Sequence, residues 1–234
     1  MLDEASGAIL FERDGHRRMA PASLTKIAAA MVVIEAGGLD RVIDVHPDLQ
    51  REWQEDSSTM GLEPGDRFSI RDLLYGLMLV SGNDAADALA EATGGTGAFV
   101  QRMNELATRI GLHDTHFTDP SGLGGPDHFS TASDLALLSR YAMRSDVFRQ
   151  LVGTETYVAH GPRDIDLYNL NPLLNYTPGV DGVKTGYTEQ AGRTFVLSAT
   201  REGHRVYAVL LNTTTRAQDA IAIIEWAFAN HRWG

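Results

Sequence analysis

The sequence predicts an α/β protein of the α+β type, with an antiparallel sheet formed by strands from both ends of the chain and flanked by helices. Two observations favour this class. Residues 7–13 have the pattern of a strand and residues 194–212 that of a hairpin, whereas the segment between them is dominated by helical periodicity. We expect a single two-lobed domain over 1–234, with a helical lobe at roughly 38–150 inserted between the sheet-forming ends. A cleft between such lobes is a natural place for chemistry.

The individual elements are predicted from apolar periodicity and from start and stop signals. The first strand turns at residues 14–15, and the hairpin turns near 202–203. Between and after these strands we expect a helix from about 22 to 37, an irregular segment with short strands at 40–68, helices at 70–80, 84–93, about 97–110 and 131–146, a long loop at 116–130, mixed structure at 147–180 and a closing helix at 216–231. Ser69 is expected to cap the helix that follows it, and a capping box is expected at 131–134.

Composition is typical of a folded globular protein and excludes several functional classes. Of 234 residues, 43% are hydrophobic and 22% are charged. The net charge is −11 and no basic cluster is present, so we expect no nucleic-acid partner. There are no cysteines, which excludes thiolate catalysis, disulfides and Cys-ligated zinc. No segment has the roughly 18 apolar residues of a membrane helix, and the N-terminus lacks the pattern of a signal peptide.

A serine and a lysine, Ser23 and Lys26, lie three residues apart at the start of an unusually apolar helix, and therefore on one helical face. A serine hydroxyl needs a base to become a nucleophile. Lysine can be that base if burial or a second cation lowers its pKa. The alternative is that Ser23 caps the helix and Lys26 extends into solvent. The pair alone favours this second interpretation.

Two further motifs follow in the chain. Ser81 and Asn83 belong to an S-G-N sequence that interrupts two helical segments, where the alternative is an ordinary turn. Lys184 and Thr185 belong to the sequence VKTGYT, which offers an amine, a hydroxyl and open backbone to a substrate, or else is a solvated strand end. The order S-x-x-K, S-x-N, K-T-G is far less expected by chance than any one motif.

With its surroundings, this motif order resembles the D-alanyl-D-alanine carboxypeptidase family of low-molecular-mass penicillin-binding proteins. The similar stretches are PASLTK, LMLVSGNDAADALAE, STASDLALLSRYA and GVDGVKTGYTEQAG, and the likeness extends from Gly7 to the final helix. It implies the β-lactamase and penicillin-binding-protein fold. It also implies a serine enzyme, without cofactor or metal, that removes the terminal D-alanine from peptidoglycan stem peptides through an acyl-enzyme. β-Lactam antibiotics would inhibit it covalently.

The resemblance also implies a role for each motif residue. Ser23 would attack the carbonyl between two D-alanines, and Lys26 would accept its proton. Ser81 would relay a proton to the departing D-alanine, helped by Lys184, whose charge would also keep Lys26 partly neutral. Asn83 would hold the peptide carbonyl of the substrate and is a candidate contact of Lys26.

The remaining assignments concern substrate binding. Thr185 would bind the terminal carboxylate, next to Gly186 in the substrate-binding strand. The backbone N–H groups of Ser23 and Tyr187 would form the oxyanion hole. Arg216 is a further candidate for the carboxylate, since a guanidinium can donate two parallel hydrogen bonds to it. A helix-surface arginine is an equal alternative at this position.

Motif order does not separate this function from its neighbours. A D,D-endopeptidase or transpeptidase would use the same groups, and a catalytically dead binding module is an alternative from another class. A class A β-lactamase uses the glutamate of an E-x-x-L-N motif for deacylation. The loop HFTDPSGLGG contains no glutamate, and the segment NPLLN has Asn171 at that place. The family further implies export to the outer side of the cytoplasmic membrane, although the chain shows no leader, and we expect a monomer.

Overall fold

The structure, a computed structural model, describes residues 1–45 and 57–233, so part of the irregular segment expected at 40–68 lies outside it. A short 3-10 turn at Ala22–Thr25 precedes the first helix. The strands and α-helices are, in chain order, β1 Leu2–Asp3, α1 Lys26–Ala36, β2 Val42–Asp44, β3 Arg67–Ser69, α2 Ile70–Met78, α3 Asn83–Ala92, α4 Thr96–Arg109, α5 Ala132–Ala142, α6 Asp146–Gly153, β4 Thr156–Ala159, β5 Ile165–Tyr168, β6 Val180–Thr188, β7 Gly192–Arg201, β8 His204–Thr213 and α7 Arg216–Asn230.

The main sheet is antiparallel and has the strand order β1-β8-β7-β6, so strands from both ends of the chain form it, as predicted. The predicted hairpin is formed by β7 and β8. It turns at Glu202 and Gly203, whose φ angles of 50° and 84° suit a tight turn that matches the strand twist. Two short two-stranded sheets, β2-β3 and β4-β5, lie apart from it.

The main sheet is buried between two layers of helices. Along β7, Phe195 and Leu197 pack with Ile224 of α7 in one apolar cluster. Val196, which points to the opposite face, belongs to the larger cluster that α1 to α6 share. This alternation is that of a strand with both faces covered. The predicted α+β class is therefore confirmed.

The predicted strand at 7–13 is wrong. Only Ile9 of that segment pairs, as an isolated bridge with Leu2, and the sheet instead receives β1 before it. The reason is a turn that separates β1 from the segment 7–13. The carboxylate of Asp3 accepts a hydrogen bond from the N–H of Ser6 at 2.7 Å, and Gly7 follows with φ 73°. The segment before this turn, β1, pairs with β8, whereas the segment after it lies at the outer edge of the main sheet.

The two capping predictions have different outcomes. Ser69 caps α2, and a reciprocal capping box with Asp72 is present there. At α5 only half of the expected box forms, because Thr131 accepts from the N–H of Asp134 without a return bond. The Asp134 carboxylate is instead used by the N–H of Asp114, at 2.8 Å. A tertiary contact has replaced the local one.

Among the described residues, no helix combines the length and the apolar character needed to cross a membrane.

Candidate active site

The serine of the S-x-x-K motif lies in the 3-10 turn, half-buried, one turn before α1. The turn is attached to the sheet because the Thr194 hydroxyl donates to the carbonyl of Pro21 at 3.2 Å. Ala22 has φ 51°, a left-handed conformation that costs energy for a residue with a side chain. Thr25, not Ser23, occupies the N-cap position of α1, so the interpretation of Ser23 as a helix cap is wrong.

The lysine of the motif is fully buried, with 0% of its surface exposed, so the alternative of a solvent-directed side chain is wrong. A helix that is apolar on all sides belongs inside a protein, and α1 is buried from Lys26 to Val33. The Lys26 amine lies 3.1 Å from Ser23 Oγ, 2.7 Å from Asn83 Oδ1 and 2.6 Å from the carbonyl oxygen of Ser121. These bonds aim it at the serine.

Burial lowers the pKa of Lys26 from 10.5 to about 7. Taking an ammonium group out of water disfavours its charged form. Three nearby carboxylates, those of Asp119, Asp84 and Asp87, act against this effect and raise the pKa. A substantial fraction of the amine is therefore neutral near pH 7 and able to accept the proton of Ser23.

The carbonyl of Ser121 is a contact that sequence reasoning missed. It belongs to a loop organised by Asp119, whose Oδ1 accepts hydrogen bonds from the N–H groups of Ser121, Gly122 and Leu123 at 2.8, 2.6 and 3.1 Å. Gly122 has φ 96°, and a Cβ there would clash with the carbonyl of Ala22. The sequence D-P-S-G is a recognisable turn signal. No residue type, however, indicates which backbone carbonyl will meet a lysine.

The S-G-N motif forms the break between α2 and α3. Ser81 is buried at this break with φ 63°. Asn83 is the first residue of α3; its Oδ1 accepts from Lys26, and its Nδ2 donates to Ser57 Oγ at 2.7 Å. The next residue, Asp84, accepts from three successive backbone N–H groups, those of Met60, Gly61 and Leu62.

The K-T-G motif lies in β6 and is not a solvated strand end, because Lys184 and Thr185 are both buried. The strand passes very close to the serine. A Cβ on Gly186 would lie 3.0 Å from the backbone nitrogen of Ser23, so only glycine permits this approach. Tyr187 follows with 62% of its surface exposed.

Two basic side chains, one on this strand and one beside it, lie close to the motif. The Lys184 amine donates to the carbonyl of Thr185 at 3.1 Å. Its pKa is well below the usual lysine value because of burial, and the charges of Lys26 and Arg216 lower it further. Arg216 is the first residue of α7, with Nη1 3.5 Å from the carbonyl oxygen of Gly186. It therefore lies beside the motif strand rather than on a free helix surface.

Of the two expected causes of a lowered pKa at Lys26, burial and the charge of Lys184, burial is the one that lowers it. The repulsion between the two amines contributes to the lowered pKa of Lys184, after that residue's own burial. Both amines favour loss of a proton, and the cause for Lys26 is the apolar helix that carries it.

The structure thus brings three motifs from different elements to one place. Ser23, Lys26 and Asn83 are joined by direct contacts, and Gly186 brings β6 against the serine. A hydroxyl beside an amine of lowered pKa can form an ester with an acyl group. The guanidinium of Arg216 beside this strand suits a substrate that carries a carboxylate.

Comparisons with known proteins agree with this geometry. A family model described as D-alanyl-D-alanine carboxypeptidase matches residues 1–215. The D-alanyl-D-alanine carboxypeptidase DacF of Bacillus subtilis is 33% identical over 241 residues, which cover 99% of this chain and 61% of that protein. DacB2 of Mycobacterium tuberculosis is 37% identical over 236 residues, covering 97% and 80%. The chain thus spans about three fifths of the first relative and four fifths of the second.

Solved structures show the same likeness. The crystal structure of a Streptomyces DD-transpeptidase superposes with a TM-score of 0.92 at 33% identity, covering 97% of this chain and 95% of that one. A D-alanyl-D-alanine carboxypeptidase from Mycobacterium tuberculosis gives a TM-score of 0.92 at 35% identity, with 98% and 89% covered.

Proposed function

Since this chain belongs to the D-alanyl-D-alanine carboxypeptidase family, we propose that it hydrolyses the bond between the two terminal D-alanines of a peptidoglycan stem peptide. One observation carries the proposal. The buried amine of Lys26, with a pKa of about 7, lies 3.1 Å from the hydroxyl of Ser23. A base of this pKa within hydrogen-bond reach is what a serine nucleophile needs at neutral pH.

In the acylation step, Ser23 Oγ attacks the carbonyl carbon while Lys26 Nζ takes the hydroxyl proton. The backbone N–H groups of Ser23 and Tyr187 stabilise the negative oxygen of the tetrahedral intermediate. The C–N bond then breaks, and the departing amine of D-alanine receives a proton through Ser81 with the help of Lys184. The products of this step are free D-alanine and an ester on Ser23.

Substrate binding uses the two sides of the cleft. Thr185 and Arg216 hold the terminal carboxylate, the first through its hydroxyl and the second through its guanidinium. The extended substrate lies beside β6, next to Gly186. The Nδ2 of Asn83 donates to a peptide carbonyl of the substrate and gives up its bond to Ser57. Its Oδ1 meanwhile keeps Lys26 aimed at the serine.

The direct test is release of D-alanine from a peptide that ends in D-Ala-D-Ala. We expect release by the wild-type chain and none by Ser23→Ala. A peptide ending in L-alanine is the matched control and should stay intact. If the wild-type chain releases no D-alanine while penicillin acylates Ser23, the carboxypeptidase proposal is wrong.

Penicillin is expected to form a long-lived ester on Ser23 rather than to be hydrolysed. Class A β-lactamases activate the deacylating water with a glutamate. Here the corresponding position holds Asn171, which donates to the carbonyl of Gly182 at 3.2 Å and accepts from the N–H of Leu173 at 3.1 Å. Labelled penicillin should remain bound to Ser23 for much longer than one turnover of the peptide substrate takes. Rapid hydrolysis of a chromogenic cephalosporin, abolished in Ser23→Ala, would contradict this.

A second candidate function is transpeptidation, favoured by the likeness to the Streptomyces DD-transpeptidase. Hydrolysis and transpeptidation share the acyl-enzyme and differ in whether water or an amine attacks it. An amine acceptor such as glycylglycine added to the D-alanine assay separates them. A transpeptidase converts most substrate into the amide product, whereas a carboxypeptidase yields mainly the free acid.

We further propose that the reaction takes place outside the cytoplasmic membrane, where peptidoglycan lies, and that the chain acts as a monomer. Its net charge of −11 argues against a nucleic-acid partner. Cell fractionation tests the location, and light scattering of the purified chain tests the oligomeric state.

A further inference from the structure

A buried histidine joins the turn that carries the nucleophile to the loop that contacts the lysine. His128 exposes 2% of its surface, and its Nε2 lies 2.7 Å from the hydroxyl of Thr25. Thr25 lies between Ser23 and Lys26 in the 3-10 turn. The function proposed above gives His128 no role.

The hydrogen bonds of the ring determine its tautomer. The backbone N–H of Thr118 donates to Nδ1 at 3.1 Å, so Nδ1 is an acceptor. A neutral imidazole has one donor and one acceptor, so Nε2 carries the proton and donates it to Thr25. Burial lowers the pKa of His128 to about 4; the charges of His116 and Lys26 act in the same direction, and that of Asp119 opposes them. The ring is neutral at neutral pH.

Both ends of this bridge are close to the reacting groups. Thr118 immediately precedes Asp119, whose carboxylate organises the loop up to Leu123. That loop supplies the Ser121 carbonyl, 2.6 Å from the Lys26 amine. On its other side the His128 ring bonds to Thr25, the residue that precedes Lys26 in the chain. The ring of His128 therefore connects the 118–123 loop to the 3-10 turn, and the same loop contacts Lys26 through the Ser121 carbonyl.

We propose that His128 is a positioning residue, whose Nε2–H tautomer fastens the Ser23–Lys26 turn to the 118–123 loop and so holds Lys26 in line with the serine. The inference rests on the proposed function, because its consequence is measured as acylation of Ser23. Ring contact with Phe117, at a centroid distance of 5.7 Å, makes His128 part of the core as well. The test must therefore separate its hydrogen bonds from its packing.

Three substitutions make this separation. Asn in place of His128 offers an oxygen near Nδ1 but cannot reach Thr25, and Gln offers a donor near Nε2 but leaves the N–H of Thr118 without its acceptor. Thr25→Val removes only the hydroxyl at nearly constant volume. The readouts are the rate constant of acylation by penicillin and the dissociation constant of the preceding complex, measured separately below the melting temperature.

We expect His128→Asn and Thr25→Val each to lower the acylation rate constant about 10-fold to 100-fold, the cost of a misplaced catalytic group, without weakening the initial complex. The double variant should be no slower than the slower single variant, because both changes break one bond. His128→Gln should be intermediate. His116→Gln is the matched control: the Nδ1 of this exposed histidine lies 2.7 Å from the carbonyl of Asp127 and its ring lies 6.1 Å from that of Phe129, so it makes no hydrogen bond to Thr25 or Thr118 and should leave the rate unchanged.

Wild-type acylation rates in His128→Asn and Thr25→Val would overturn the proposal, as would fully additive losses in the double variant. Should His128→Asn fail to fold, Thr25→Val alone decides, since the bond is absent in it too. Failure of the proposed function gives a different result, because the wild-type chain itself would then release no D-alanine.

Discussion

At the scale of single residues, the site depends on a lysine placed where a lysine is costly. Burying an ammonium group is unfavourable unless it is bonded or loses its proton. Lys26 does both, with three oxygen partners and a pKa lowered to about 7. The apolar residues that follow it in α1, which would otherwise only fill the core, therefore also determine the chemistry of its amine.

The first prediction follows from that pKa. Acylation of Ser23 by penicillin should accelerate as the pH rises through about 7 and then level off, because only the neutral amine of Lys26 accepts the hydroxyl proton. Rapid-mixing kinetics between pH 5 and about pH 9 measure the profile. A rate independent of pH over this interval would show that Lys26 is not the base.

Lys26→Arg provides a sharper version of this test. A guanidinium does not lose its proton in proteins, so this variant should lose most of the acylation rate and the rise with pH together. Because the charge is kept, loss of activity cannot be attributed to an absent cation. Arg18, an exposed residue paired with Asp114, offers a control in the substitution Arg18→Lys, which should keep the wild-type profile.

At the scale of elements, the site depends on how closely a loop approaches a turn. The backbone of Gly122 lies against the carbonyl of Ala22, one residue before the proposed nucleophile Ser23, and has φ 96°. A side chain is excluded there both by this conformation and by space. The approach lets the same loop place the Ser121 carbonyl on Lys26.

The second prediction compares two glycines of this loop. Gly122→Ala should cost about 1 to 3 kcal/mol of stability through overpacking, and it should slow acylation because the turn at Ala22 must move. Gly125→Ala adds the same methyl group where no atom lies within 4 Å, at a φ outside the left-handed range. It should change neither quantity. Thermal unfolding and penicillin acylation measure both, and equal effects of the two substitutions would refute this account.

Elements were predictable where the information was local. The Ser69 cap, the β7–β8 hairpin and the break at S-G-N follow from residue types within a few positions of each other, and the order of the motifs correctly indicated the family. The strand expected at 7–13 failed, since alternation does not show which leg of a hairpin reaches a sheet. The roles of the 118–123 loop and of His128 could not be predicted, because the loop contacts Lys26 through a backbone carbonyl and His128 contacts a residue 103 positions away in the chain.

At the scale of the whole molecule, two buried lysines come together from different layers. Lys26 lies on the central helix α1, and Lys184 on strand β6 of the sheet. The repulsion between them is part of what lowers the pKa of Lys184, after its burial. A fold selected only for stability would not place two amines in this way. This pair of buried amines therefore lowers the stability of the protein, as functional groups often do.

The third prediction measures that cost at Lys184, whose amine makes one hydrogen bond within the described part of the chain, to the carbonyl of Thr185. Its pKa is lower in the folded chain than in the unfolded chain, where it has the usual lysine value. Below the usual pKa of lysine the folded state therefore holds this proton less tightly than the unfolded state, and each unit of pKa difference corresponds to about 1.4 kcal/mol of lost stability. Lys184→Met should abolish D-alanine release while it raises the melting temperature at pH 7 by about 3 °C or more.

The sign of this effect also fixes its pH dependence. As the pH rises towards the usual pKa of lysine, the unfolded wild-type chain loses its proton too, and the penalty disappears. The difference in melting temperature between Lys184→Met and wild type should therefore shrink as the pH rises from 7 towards 10. Arg41→Met, at an exposed arginine whose guanidinium reaches the carbonyl of Ala92, is a control without a buried amine. A gap for Lys184→Met that is constant with pH would mean that packing, not proton binding, produces the gain.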